Sequence, residues 1–194
     1  MKAFFLSLPV IGIAAGAYAQ GFIFLDNINN NNTSPTATSG GLFFIDNAVG
    51  TGLINGDFNA AFYGGTDSAN LQLIASFYGA AAVGSGGFGP GTFLDPTGRS
   101  YPVPGTTATS TSAFFMVQAW TGTATSFAAA SSTFTCVGQS FVFSNPVAAP
   151  PAPAPDLTGM PAVPLAACPE PSTFALIAFG VAGLFAFRPL TRTK

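Results

Sequence analysis

The groups that could do chemistry in this chain are few: six aspartates, one glutamate, two cysteines and no histidine. Without imidazole there is no Ser-His-Asp or Cys-His nucleophile and no histidine metal site. Cys136 and Cys168 stand 32 residues apart, and two thiolates alone do not close a zinc site. In an oxidising compartment they are a candidate disulfide; the alternative is two separate thiols. A glycosidase needs two carboxylates facing each other at about 5 to 9 Å. Here most aspartates sit in turn-like contexts, Asp26-Asn27, Asp46-Asn47 and Gly56-Asp57, where a short acid caps its own backbone. Asp26, Asn27 and Asn29 offer oxygens to a hard cation such as calcium, but the D-x-[DN]-x-[DN]-G spacing is absent. No catalytic, cofactor-binding or metal-binding residue is therefore assigned, and the expectation is a protein that is not an enzyme. Tyr63, Tyr78, Tyr101 and Trp120 are candidate rings for stacking on sugars, although such rings more often pack in cores. The three threonines of Thr121-Gly122-Thr123-Ala124-Thr125 are too short a row for an ice-binding face.

Charge is scarce and unevenly placed. Only 6% of the 194 residues are charged, while 48% are hydrophobic and 21 are Phe. Ordinary domains carry about 25% charged residues. So many aromatics exclude a charged disordered tail, and so few cations exclude a nucleic-acid binder. Lys2 lies at the start, and Arg188, Arg192 and Lys194 lie at the end. Between residues 20 and 169 stand six Asp and one Arg, Arg99. Cations at both ends beside apolar runs form a membrane-orientation pattern.

Residues 1–19 read as a signal peptide: Lys2, then an apolar stretch to Ala15, then Ala17-Tyr18-Ala19 as an A-x-A site for signal peptidase. At the other end, Pro169-Glu170-Pro171 precedes the uncharged run Phe174–Phe187. Fourteen helical residues span about 21 Å, short of a hydrocarbon core of about 30 Å, and flanking residues with snorkelling by Arg188 make up the difference. Arg188, Arg192 and Lys194 form a membrane stop that stays cytoplasmic by the positive-inside rule. Both ends therefore place the intervening chain across the inner membrane.

Pro-Glu-Pro, a short apolar helix and a basic end, in this order and position, resemble the PEP-CTERM sorting signal of Gram-negative bacteria. The same segment is also called the ice-binding protein C-terminal domain, a name that implies no ice binding. The resemblance covers residues 168–194. It implies recognition by exosortase, a membrane cysteine protease-transpeptidase, with Pro169, Glu170 and Pro171 as recognition residues and cleavage near them. Cys168 stands where such signals often carry Val.

Residues 20–145 read as an all-β exported domain, a β-sandwich or open barrel of about seven to nine short strands. The candidate strands are 22–25, 42–45, 58–63, 71–77, 113–120, 133–137 and 140–143. Asn55-Gly56 is a hairpin signal, 84–91 a glycine loop and Asp95-Pro96-Thr97-Gly98 a turn. Residues 114–120 are the central strand, apolar enough to be covered on both faces. Asn29–Asn32 and residues 33–40 read as a flexible connector. The order Phe62-Tyr63-Gly64-Gly65, Val117-Gln118-Ala119-Trp120 and Gly138-Gln139-Ser140 also resembles a group of exported proteins with this sorting signal.

Residues 146–167 read as a linker. Seven prolines between 146 and 164 suggest a polyproline spacer before the sorting signal of 168–194 and its transmembrane helix of 174–187. The expectation is an exported protein, first anchored in the inner membrane and then at the cell surface or in the extracellular matrix. Its partners are signal peptidase, exosortase and extracellular polysaccharide, and its role is structural or adhesive. The alternatives are a carbohydrate-binding module and a surface hydrolase.

Overall fold

The computed structural model describes residues 20–47, 50–54, 57–79, 89–133 and 135–166. These residues are mostly strand, with a single five-residue helix among them. The strands are β1 (Phe22–Phe24), β2 (Phe43–Asn47), β3 (Gly50–Leu53), β4 (Asn59–Gly65), β5 (Gln72–Phe77), β6 (Ser100–Pro102), β7 (Ser112–Trp120), β8 (Val137–Gln139), β9 (Phe143–Pro146) and β10 (Val163–Leu165). The helix α1 is Phe127–Ser131. The all-β expectation holds, but the sheets do not close into a barrel. A sheet of β5-β4-β7-β8, with β9 also paired to β7, packs beside a three-stranded sheet β10-β2-β3 and the β1-β6 pair.

β7 is the central strand, paired with β4 on one side and with β8 and β9 on the other, and its burial alternates. Ala113, Phe115, Val117 and Ala119 point inward and are buried. They meet Phe62 and Ala60 of β4, Phe77 of β5 and Phe143 of β9. Ile23, Phe43, Tyr101, Val163 and Leu165 from the two smaller sheets join the same cluster, so one core lies between the sheets. Phe62, Phe77 and Phe93 pack with centroids 5.0 to 5.9 Å apart. Such pairs add to the area that each ring buries. Among the described residues, the expected cover on both faces of β7 is not found. Its outward side carries Phe114, 37% exposed, and is buried at the Trp120 end, where α1 packs.

Three local expectations are corrected. Asn55-Gly56 lies outside the described residues, but β3 before it pairs with β2 while β4 after it lies in another sheet, so the flanking strands do not form the expected hairpin. Asp46 and Asn47 are not a turn but the last two residues of β2, paired with Thr51 and Gly50. Residues 133–137 are not a strand: Ser126 accepts from the Ala129 amide and starts α1, and β8 begins only at Val137. The turn at Asp95–Gly98 forms as expected, with Gly98 N–H donating to Asp95 O at 3.1 Å.

The largest departure concerns the proline-rich segment. Pro146 to Ala166 is built into the body. Leu157, Met160, Val163 and Leu165 are fully buried. Main-chain bonds join Phe24 to Pro155, Leu157 to Asp26, Gly41 to Met160 and Ala162 to Ala37. β10 runs parallel to β2 as an edge strand, where Pro164 costs no ladder bond on its open side. Composition points to a spacer because proline dominates it, but the apolar residues between the prolines decide the outcome. Gly41 and Gly138 make the approach possible. A Cβ on Gly41 would overlap the Ala162 backbone, and one on Gly138 would overlap the Pro164 carbonyl.

Candidate functional site

Two regions of the body face outward with a distinct chemistry. The first is the open face of the five-stranded sheet. Strands β4, β5, β7, β8 and β9 contain no charged residue. Register sets Leu73 opposite Tyr63 and Tyr63 opposite Met116 in one row across the sheet. Leu73 is 54% exposed, Phe114 37% and, in the link between β8 and β9, Phe141 56%. Gln118 and Gln139 lie opposite each other, and the Gln118 amide donates to Gln139 Oε1 at 2.8 Å. The second Gln118 N–H and the amide NH2 of Gln139 have no protein partner in this pair, and so can reach a ligand.

At one end of this face, Trp120 is buried and its indole N–H donates to the Ala124 carbonyl at 2.8 Å. It is therefore a packing residue and not a sugar platform, as is the buried Tyr101. Tyr78 is exposed, and its hydroxyl donates to the Thr125 carbonyl at 3.1 Å. The Thr121–Thr125 stretch is not extended; Gly122 at φ 82° bends it around the indole. Thr123, Thr125, Thr133 and Thr135, with Ala124 and Ala129, line an open hollow of about 460 Å³. Asn59 braces this end, donating to the carbonyls of Trp120 and Gly122 and accepting from Gly79 N–H.

The second region is the corner formed by the end of β1. Asp26 is buried, and burial followed by repulsion from Asp156 and Asp95 raises it to about 6. Asn27 does not face a cation. Its side chain accepts from Phe93 N–H and donates to the Gly91 carbonyl, holding the 89–95 segment. Asn30, which the sequence places in a flexible connector, is buried and donates to the carbonyls of Gly41 and Leu157. In a body this poor in charge, buried amides do the cross-linking that ion pairs do elsewhere.

The residues singled out in the sequence fall mostly elsewhere. Cys136 is buried and disulfide-bonded. Cys168, Pro169, Glu170, Pro171, Arg188, Arg192 and Lys194 lie outside the described residues, as do Ala17, Ala19 and the run 174–187. Among the described residues, no helix is long and apolar enough to cross a membrane. The sequence gives no sign of the Gln118–Gln139 pair, because its members meet only through strand register.

A protein-family model, the PEP-CTERM protein-sorting motif, matches residues 167–192. No curated protein and no solved structure matches the chain. The motif supports an exported protein of the exosortase pathway and implies a membrane-anchored precursor. The chain carries the PEP-CTERM sorting motif directly after the last packed strand of that body.

Proposed function

We propose that the mature protein is a non-enzymatic component of the cell surface or extracellular matrix, with a structural or adhesive role in the exopolysaccharide layer. The observation that carries this reading is the sorting motif at 167–192 following a compact body whose outer sheet has no charge. Export begins with cleavage after Ala19 by signal peptidase. The 174–187 helix then holds the precursor in the inner membrane, with Arg188, Arg192 and Lys194 on the cytoplasmic side. Exosortase reads Pro169-Glu170-Pro171 and cuts nearby. Cys136 pairs with Cys168, the other cysteine of the chain, in the oxidising space outside the inner membrane.

The test is mass spectrometry of the protein recovered outside the cell. A C-terminus near Pro169–Pro171 is expected, with Glu170→Ala accumulating as the uncut membrane form. A mature chain still ending at Lys194, or unchanged processing of Glu170→Ala, overturns the reading.

A second reading, a carbohydrate-binding module, draws on the uncharged face with Tyr63, Phe114 and the Gln118–Gln139 amides. Neutral glycans are recognised by this combination of apolar contact and amide hydrogen bonds. A glycan array comparing the wild type with Gln118→Ala and Phe114→Ala separates the two, since both variants keep the inward core. Saturable binding lost in both favours the module; no binding favours the structural role.

A further inference from the structure

Among the described residues, Oδ1 of Asp26 is the buried side-chain oxygen without a hydrogen-bond partner. Asp26 is 8% exposed, so this oxygen is removed from water without the donor that normally compensates. Arg99, the cation among the described residues, is engaged elsewhere: its guanidinium lies 4.9 Å from the Tyr101 ring centroid. A second acid is brought to the same corner by the C-terminal segment. Phe24 N–H donates to Pro155 O at 2.9 Å and Leu157 N–H to Asp26 O at 3.2 Å, so the chain carrying Asp156 runs beside the chain carrying Asp26. Asn29 closes the corner by donating its amide to Asp156 Oδ2. Asp95 contributes negative potential there, but Thr97 Oγ1 lies 2.8 Å from each of its oxygens and its amide donates to Oδ1.

We propose that Asp26 and Asp156, with the side-chain oxygen of Asn29, bind a hard divalent cation, calcium by its chemistry. Two carboxylates match a double positive charge, and the amide oxygen of Asn29, whose amide nitrogen already donates to Asp156, would supply a third ligand. Among the described residues no group of three or more His, Cys, Asp or Glu gathers to hold a metal. The rest of the shell must then be main-chain and water oxygens, which suits calcium and not a soft metal. A site with so few charges falls in the range of extracellular modules, about 10⁻⁴ to 10⁻³ M. The cation would neutralise the buried acid and pin the proline-rich segment to β1.

The test uses the full chain in detergent micelles at pH 7.5, melted with a chelator, with 5 mM CaCl2, and with NaCl of matched ionic strength. Calcium is expected to raise Tm by about 3 to 5 °C over NaCl. Asp26→Asn and Asp156→Asn are expected to lose this increment, while Asp57→Asn, an exposed acid, keeps it. Should one variant fail to fold, the other decides. The proposal is overturned if the wild type shows no calcium increment over NaCl, or if a folded Asp26→Asn or Asp156→Asn retains it.

Discussion

The amide of Ala166 donates to the carbonyl of Val137 at 2.9 Å. The last residue described before the sorting motif is thus held beside the residue that follows Cys136. Two residues farther on stands Cys168, and an extended chain covers at most about 7 Å in that distance. A Cys136–Cys168 bridge would close a loop of 32 residues and stabilise the body by about 3 to 4 kcal/mol in the chain-entropy picture. Non-reducing peptide mapping should recover the two cysteines in one cross-linked fragment. Cys136→Ser should lower stability in denaturant melts by a similar amount. Recovery of both cysteines as free thiols would remove this account.

The docking of the proline-rich segment predicts a sharp contrast between glycines. Gly41→Ala and Gly138→Ala drive a methyl into backbone at Ala162 and Pro164 and should each cost about 3 kcal/mol. Gly52→Ala in β3 meets nothing within 4 Å and should be near neutral. Protease digestion adds a second readout, since the two damaging variants should expose residues 146–166 to cutting. Equal stability of all three variants would mean that the segment is not packed as described.

Buried amides make a related prediction. Asn145 is 1% exposed; its side chain donates to the Asp156 carbonyl at 2.9 Å and accepts from Gly159 N–H at 2.7 Å. Asn145→Ala strands these main-chain groups and should cost about 2 to 3 kcal/mol. Asn32, exposed, should tolerate the same change with a loss below about 1 kcal/mol. Urea midpoints of the two variants compare them directly.

Asp26 sets a pH dependence when calcium is chelated. Its native value of about 6 lies above the ordinary 3.8, because burial and then Asp156 and Asp95 disfavour the charge. The folded state therefore holds the proton more tightly than the unfolded chain. The resulting stabilisation is full below about pH 4 and is lost as pH rises through 6. Partial screening by solvent leaves a step of about 2 kcal/mol. Melts from pH 4 to 7.5 in chelator should show this fall in the wild type, and Asp26→Asn should flatten it.

Much of this was readable from residues alone, for reasons that differ by element. β1, β4, β5 and β7 announce themselves because each holds a short run rich in apolar and aromatic residues. β3, Gly-Thr-Gly-Leu, and β10, Val-Pro-Leu, carry no such signal. They become strands only because β2 lies between them and buries Phe43 and Phe44. The helix α1 is marked locally by Ser126 before Phe-Ala-Ala-Ala, a cap signal easily missed in a threonine-rich stretch. The sorting motif is contiguous and so is legible without a fold. The Asp26 corner is not, because its second acid lies 130 residues away and arrives by main-chain pairing.

β10 joins β2 with paired residues 120 positions apart in the sequence. An export channel that threads the polypeptide from its N-terminus delivers β2 early and leaves one of its flanks bare until nearly the whole body has crossed. On the export route proposed above, the three-stranded sheet would be completed only when residues 163–165 have crossed, just ahead of the sorting motif at 167–192.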